Sequence, residues 1–234
     1  MSGGIFGGPL GRKLVMSVSG LFLMLFLLMH LSINLTLMLN DVDMFGQHWA
    51  EGEMFNTGAH FMISTPLIRI MEPLLAAGFV FHILYATIIT LKNRKFRPIG
   101  YAQTSGNALT SWSSKNMYIL GLAVLAFLVL HIMNFFWKFR FTEMPMVELG
   151  GHTVDDSYSV VAGLFKGSVA YCLVYIAAAV LLALHLSHGF WSAFQTIGFN
   201  NRKWIPRLHA ISVVYAIVIG LGFSSIPLYF LLIH

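Results

Sequence analysis

Charge is scarce in this chain: 10% of its 234 residues are Asp, Glu, Lys or Arg, where a soluble domain carries about 25%. Cysteine is nearly missing. The single Cys172 excludes a disulfide framework and an iron–sulfur cluster held within the chain, and without a Cys-x-x-Cys-His motif any haem must be bound non-covalently. Long polar stretches are also few, so little chain is left for a separate soluble domain, and 1–234 reads as a single membrane domain.

Apolar residues fill the space instead, at 57% of the chain with mean hydropathy +0.76. Five apolar runs are long enough to span a bilayer, at about Leu14–Leu39, Pro66–Leu91, Met117–Trp137, Ser168–Phe194 and Leu208–Ile233. The fold class is therefore all-α, an integral membrane bundle of five transmembrane helices. The first run is longer than the apolar part of a cleavable signal and has no small-residue cleavage site behind it. Residues 1–11 form a Gly-rich lead-in.

Net charge is +5, but its distribution says more. Arg12 and Lys13 precede the first span, and Lys92, Arg94, Lys95, Arg97 and Lys115 follow the second. Arg202, Lys203 and Arg207 follow the fourth. The alternate loops hold Asp41, Asp43, Glu51, Glu53, Glu143, Glu148, Asp155 and Asp156. By the positive-inside rule the N-terminus is cytoplasmic and the C-terminus outside. The basic segments need no nucleic acid to explain them. Smaller signals fix local features: Ser64-Thr65 and Pro66 suit the start of the second span, Arg69 and Glu72 are spaced to pair, and Gly198 suits a C-cap. In the fifth span Gly220 and Gly222 permit close helix approach.

Within the apolar runs the conspicuous polar side chain is histidine. Ser19 to His30, SGLFLMLFLLMH, has a counterpart at Leu120 to His131, LGLAVLAFLVLH; in both, Gly-Leu is followed by Phe-Leu and then His. Two other runs carry deep histidines, His82 and His185. Such rings are costly in hydrocarbon unless something satisfies them. Counting from midspan puts His30 and His131 about four residues toward the outside, and His82 and His185 about three or four toward the cytoplasm; at ~1.5 Å per residue the two levels are on the order of 10 Å apart. The four sort into an outer pair, His30 with His131, and an inner pair, His82 with His185. Two imidazoles from two helices match bis-histidine ligation of a b-type haem, giving two haem b in all. Zinc suits the pattern less well, because no Cys, Asp or Glu accompanies the pairs. His188, one turn past His185, is an alternative ligand or a partner for a propionate. Gly20 and Gly121 lie about 15 Å before their histidines, near the inner level, where a backbone without Cβ makes room for a macrocycle. Ser17 and Ser19 are placed to hydrogen-bond its propionates.

SGLFLMLFLLMH, the FVFHILYA around His82, the VLHIMNFF around His131, and HLSHGFW together resemble the single-chain, five-helix, dihaem cytochrome b subunit of succinate:quinone oxidoreductases, the membrane anchors of succinate dehydrogenases and fumarate reductases. The resemblance runs over nearly the whole chain in helix order and histidine position, and less in the loops. It implies that His30 and His131 ligate the distal haem and His82 and His185 the proximal one. It further implies iron–sulfur and flavoprotein partner subunits on the cytoplasmic face, menaquinone as the quinone, dicarboxylate chemistry on another subunit, and residence in a bacterial cytoplasmic membrane. Some members carry a Glu two residues before the fourth-span ligand, implicated in transmembrane proton movement; Ala183 stands there in this chain.

A quinone head group needs a proton partner near a haem at the membrane edge. The first outer loop supplies Glu51 and Glu53 as quinol proton acceptors, with His48 and His60 beside them. The inner edge offers Gln195, Ser192 and Arg12. Two other readings stay open on the residues alone: a b-haem subunit of another respiratory dehydrogenase, and a haem-free transporter using the histidines as a proton relay.

Overall fold

The computed structural model describes residues 8–96 and 108–233. Most of the Gly-rich lead-in (1–7), Arg97 and His234 lie outside the described residues. Five helices are long and apolar enough to cross a membrane: Leu10–Met38, Pro66–Lys95, Met117–Phe141, Val169–Thr196 and Trp204–Leu232. The protein is thus an all-α, multi-pass membrane protein. The spans correspond to helix α1 (Pro9–Leu35) with a short 3-10 turn (Thr36–Met38), α3 (Pro66–Phe96), α5 (Met117–His131) continued through a π-helical stretch (Ile132–Phe136) into α6 (Trp137–Phe141), α8 (Val169–Thr196) and α9 (Trp204–Leu232). Helix α2 (Glu53–Ser64), α4 (Ala108–Lys115) and α7 (Ser157–Gly167) complete the set.

The spans are apolar on their exposed faces as well as their buried ones. Leu25, Phe81, Leu84, Val129, Leu173, Val214 and Leu221 are all exposed, the pattern of helices that meet lipid instead of water. Prolines inside two spans, Pro73 in α3 and Pro227 in α9, are tolerated for the same reason: in a bilayer, neighbouring groups must re-satisfy the backbone that a proline frees. Helix α9 starts earlier than the apolar run suggests. Asn201 Oδ1 accepts from the backbone N–H groups of Lys203 and Trp204, and Pro206 then falls in the first turn, where no N–H is needed. Gly198 lies just beyond α8 with φ +113°, and the Phe199 N–H reaches back to the Phe194 carbonyl, closing the helix in the manner of a glycine C-cap.

The two segments expected to be outer loops are ordered. Strands β1 (Val42–Met44) and β2 (Gln47–Trp49) pair antiparallel, Val42 opposite Trp49, and β3 (Met146–Leu149) pairs with β4 (His152–Asp155), Leu149 opposite His152. Both hairpins turn on two residues with positive φ, Phe45-Gly46 and Gly150-Gly151, as a tight primed turn demands. The Gly-Gly pair announces its turn; an aromatic residue at φ +55° does not.

By contacts the chain forms two compact units, and each of the five spans contributes a part to both. One comprises Met1–Leu27, Glu72–Leu122 and Leu182–Val218; the other comprises Leu28–Met71, Ala123–Leu181 and Ile219–His234. In the first, the Tyr215 hydroxyl donates to the Met24 carbonyl at 2.7 Å, and Tyr215 packs against Phe190. In the second, Leu37, Phe55, Phe135, Tyr158, Phe165, Cys172, Tyr175 and Phe230 form a continuous apolar core. The Cys172 thiol is buried in it and donates to the Phe165 carbonyl, a packing role. Gly222 of α9 lies against Leu31 of α1 so closely that a Cβ would stand 2.7 Å from Leu31 Cδ2.

Asn40, just past the first span, ties this second unit together. Its Nδ2 donates to the Leu37 carbonyl and to the hydroxyls of Tyr158 and Tyr229, and its Oδ1 accepts from the Gly52 N–H at 2.9 Å. Asn56 and Asp156 add a second tie: Asn56 Nδ2 donates to Asp156 Oδ1, which also caps α7 by accepting from the Ser159 N–H, while Asn56 Oδ1 accepts from the Tyr158 N–H. Gly52 permits this closure, with φ +74° and a Cβ position only 2.5 Å from Tyr158 Cγ. Gly52→Ala should therefore destabilise the protein by about 2–5 kcal/mol, the sum of a left-handed backbone and an overpacked ring. Gly151→Ala, with φ +80° but open space around it, should cost about 1–2 kcal/mol. Thermal denaturation of the two variants in detergent checks the ranking.

Candidate functional site

In the first unit, His82 of α3 and His185 of α8 face each other with ring centres 6.3 Å apart and planes inclined by 71°. The Nδ1 atoms of both are buried, and neither has a hydrogen-bond partner among the described residues. Gly20 of α1 lies against His82, its Cβ position 3.4 Å from Cε1 and 3.5 Å from Nδ1. Gly121 of α5 lies against His185 in the same way, 3.5 Å from Cε1. Four spans thus meet here, two giving an imidazole and two giving a bare backbone beside it. Ser17 and Ser19 are buried on α1, and Ser19 Oγ donates to the Met16 carbonyl at 3.0 Å.

In the second unit, His30 of α1 and His131 of α5 are 5.7 Å apart between ring centres and nearly perpendicular, at 88°. Aromatic rings surround them: Phe223 beside His30, and Phe127, Phe135 and Tyr175 beside His131. His131 Nδ1 is buried with no partner among the described residues. Asn34, one turn on from His30, donates to the His30 carbonyl at 2.7 Å, with its Nδ2 3.5 Å from His30 Nδ1. The π-helical stretch begins at the residue after His131. It turns Asn134 and Phe135 inward, where both are buried and Asn134 Nδ2 donates to the Tyr175 hydroxyl at 3.1 Å. Such stretches insert an extra residue into a turn and recur at functional sites. No proline or glycine marks this one, which is why the sequence conceals it.

Two imidazoles binding one metal ion from opposite sides, at about 2 Å per metal–nitrogen bond, have ring centres roughly 6 Å apart. Both observed spacings fit. Either ring nitrogen of a neutral imidazole can ligate, so a buried nitrogen without a protein partner is a candidate donor. Among the described residues no group of three or more His, Cys, Asp or Glu side chains is placed to hold a metal ion. Each pair on its own offers two imidazoles and, among the described residues, no third side chain of those types. His188 is not part of the His82/His185 pair: its ring packs edge-on against Trp191.

The carboxylates of the segment between the first and second spans divide by environment. Glu51 Oε1 accepts from the Tyr158 hydroxyl at 2.9 Å and lies 3.8 Å from Lys166 Nζ, so it belongs to the tie that holds α7. Glu53 accepts from the Ala50 N–H through Oε2 and lines a cleft of about 590 Å³ with Trp49, Thr57, His60 and His152. His48 is elsewhere, exposed and 3.0 Å from Asp43. At the other sequence-predicted edge, Gln195 Nε2 donates to Asn200 Oδ1. His152 joins the cleft from the β3–β4 hairpin, more than ninety residues after Glu53, and nothing in the spacing of the sequence links the two.

No protein-family model, curated protein or solved structure matches this chain.

The Tyr158 hydroxyl is held protonated well above its ordinary range, first by burial, then by its hydrogen bond to Glu51 and the negative charge there. The sign of the linkage follows. Above about pH 10 the unfolded tyrosine ionises while Tyr158 in the fold does not, so its contribution is complete below that pH and is lost as pH rises further. Wild-type protein should lose stability on going from pH 9 to pH 11 more steeply than Tyr158→Phe, measured by denaturation at each pH.

Proposed function

We propose that this chain is the dihaem cytochrome b membrane anchor of a succinate:quinone oxidoreductase, moving electrons between a membrane quinone and a soluble iron–sulfur and flavoprotein pair. One observation carries the reading: four deep histidines form two facing pairs, each drawn from two different spans and each spaced for a shared metal. A porphyrin would complete the coordination that two protein ligands leave open, and its apolar body suits a bilayer. Two b-type haems, when bound, supply one-electron transfer. The residues do the rest: His82 with His185 and His30 with His131 hold the irons, and Gly20 and Gly121 keep the backbone open beside the first pair.

Quinol oxidation releases two protons with two electrons, and a carboxylate at the membrane edge can accept a proton and pass it to water. Glu53 is favoured over Glu51 because it lines a cleft with His60 and His152, whereas Glu51 is engaged with Tyr158 and Lys166. Partner docking falls to the unit that holds Lys92, Arg94, Lys95, Lys115, Arg202, Lys203 and Arg207; every acidic residue except Glu72 belongs to the other unit. Such a basic surface attracts an acidic face of a soluble subunit. Menaquinone as the quinone and a bacterial cytoplasmic membrane as the location follow from the family resemblance, and the cytoplasmic orientation of the basic side follows from the positive-inside rule.

Three outcomes test this. The purified protein should show a reduced b-type α band with two components; its absence sends the histidines back to a haem-free relay in a transporter. His30→Ala and His131→Ala should each remove the same component, and His82→Ala and His185→Ala the other. Loss of one component by both His30→Ala and His82→Ala would break the pairing. Glu53→Gln should lower quinone-linked turnover about a hundredfold or more, the low end of general acid–base contributions, with both haems and dye-coupled succinate oxidation retained. Glu51→Gln should act chiefly on stability.

A further inference from the structure

His188, Trp191 and His209 form a cluster that the iron-ligating pairs do not use. His188 and Trp191 lie on α8 one and two turns beyond His185, and their rings meet edge-on, 5.0 Å between centres at 86°. His209 of α9 stacks on the indole at 4.2 Å and 30°, a contact that restrains the ring plane. Both His188 Nδ1 and Trp191 Nε1 are buried, and neither finds a hydrogen-bond partner among the described residues. An indole N–H can only donate, and His188 donates as well in its Nδ1–H tautomer. Two neighbouring donors left buried and unpaired carry a desolvation penalty that an acceptor removes. Tryptophan and histidine in this position suit an acceptor with at least two lone pairs, and a carboxylate makes the stronger, charge-assisted bonds with both.

We infer that His188 and Trp191 form a two-donor clamp for a propionate carboxylate of the porphyrin held by His82 and His185, with His209 as the positioning residue. This rests on the dihaem reading. The clamp removes His188 from the candidate iron ligands and gives it a separate role, in which neutral donors hold the anionic edge of the macrocycle without adding a formal charge to the membrane interior. A carboxylate deprived of these donors concentrates its negative charge nearer the iron and favours the ferric state, so the clamp keeps the potential of this haem up.

The test uses the His30→Ala protein, in which only the haem of the His82/His185 pair remains, alone and combined with Trp191→Phe or His188→Ala. Trp191→Phe keeps an aromatic ring on that turn of α8 and removes the N–H. Expected results are unchanged haem content by pyridine haemochrome, a lower midpoint potential in each combined variant, and a shifted propionate bending mode in the resonance Raman spectrum. Unchanged potential and unchanged propionate mode in both combined variants, with haem retained, would overturn the clamp and leave the dihaem reading intact. Loss of the haem in His188→Ala with Trp191→Phe unaltered would return His188 to the iron and also overturn it. A wild-type protein without any b-type absorption would refute the dihaem reading itself, and the clamp with it.

Discussion

An imidazole buried in hydrocarbon must have something to bind. Each buried polar nitrogen without a partner costs roughly 1–3 kcal/mol, and His82, His131 and His185 each have one. The rest of the architecture answers to this constraint. Helix α1 brings His30 to His131 and, further back along its length, Gly20 to His82. Helix α5 does the same with His131 and Gly121. One helix thus carries a histidine of one pair and a bare wall beside the other pair. Replacing a glycine by any residue with a bulky side chain would fill the space beside an orphan nitrogen and shut out whatever completes it.

The two histidine sites are built from different materials. The His82/His185 site has glycine backbone on two sides. The His30/His131 site is walled by Phe127, Phe135, Tyr175 and Phe223 and includes a hydrogen bond from Asn134 to Tyr175. A wall of aromatic rings is apolar and polarisable; a wall of backbone lies close and carries peptide dipoles. A charge placed in the two would meet different local fields.

Much of this was legible in the sequence, and for physical reasons. Five apolar runs must be spans because the bilayer sets their length, and a helix rise per residue turns histidine positions into depths, so His30 falls beside His131 and His82 beside His185 from counting alone. What escaped depends on contacts distant in the chain or on backbone states that the residue type disfavours. The β1–β2 hairpin turns on Phe45, 85% exposed and at φ +55°, where a β-turn signal would name Asn, Asp or Gly. Glu51 and Glu53 look equivalent as letters; Tyr158 and Lys166, more than a hundred residues later, make Glu51 a structural residue, and His152 makes Glu53 part of a cleft. Helix α2, with Glu53 in its first turn and buried Phe55 and Asn56 facing α7, was hidden in a segment too short and too polar to read as a span.

The π-helical stretch after His131 also acts as a phase shifter. An extra residue in one turn advances the helix by about 100°, so the helical wheel drawn through Gly121 and His131 does not continue through Asn134 and Phe139. The two segments of this span therefore follow separate angular rulers in the sequence, yet Phe127 and His131 before the stretch and Phe135 within it all meet Tyr175. In such a helix a one-residue deletion within Ile132–Phe136 is a different kind of change from a substitution. It would restore ordinary winding and leave both the histidine and the later side chains on the faces they have, whereas the same deletion elsewhere in the span would rotate every later side chain by about 100°.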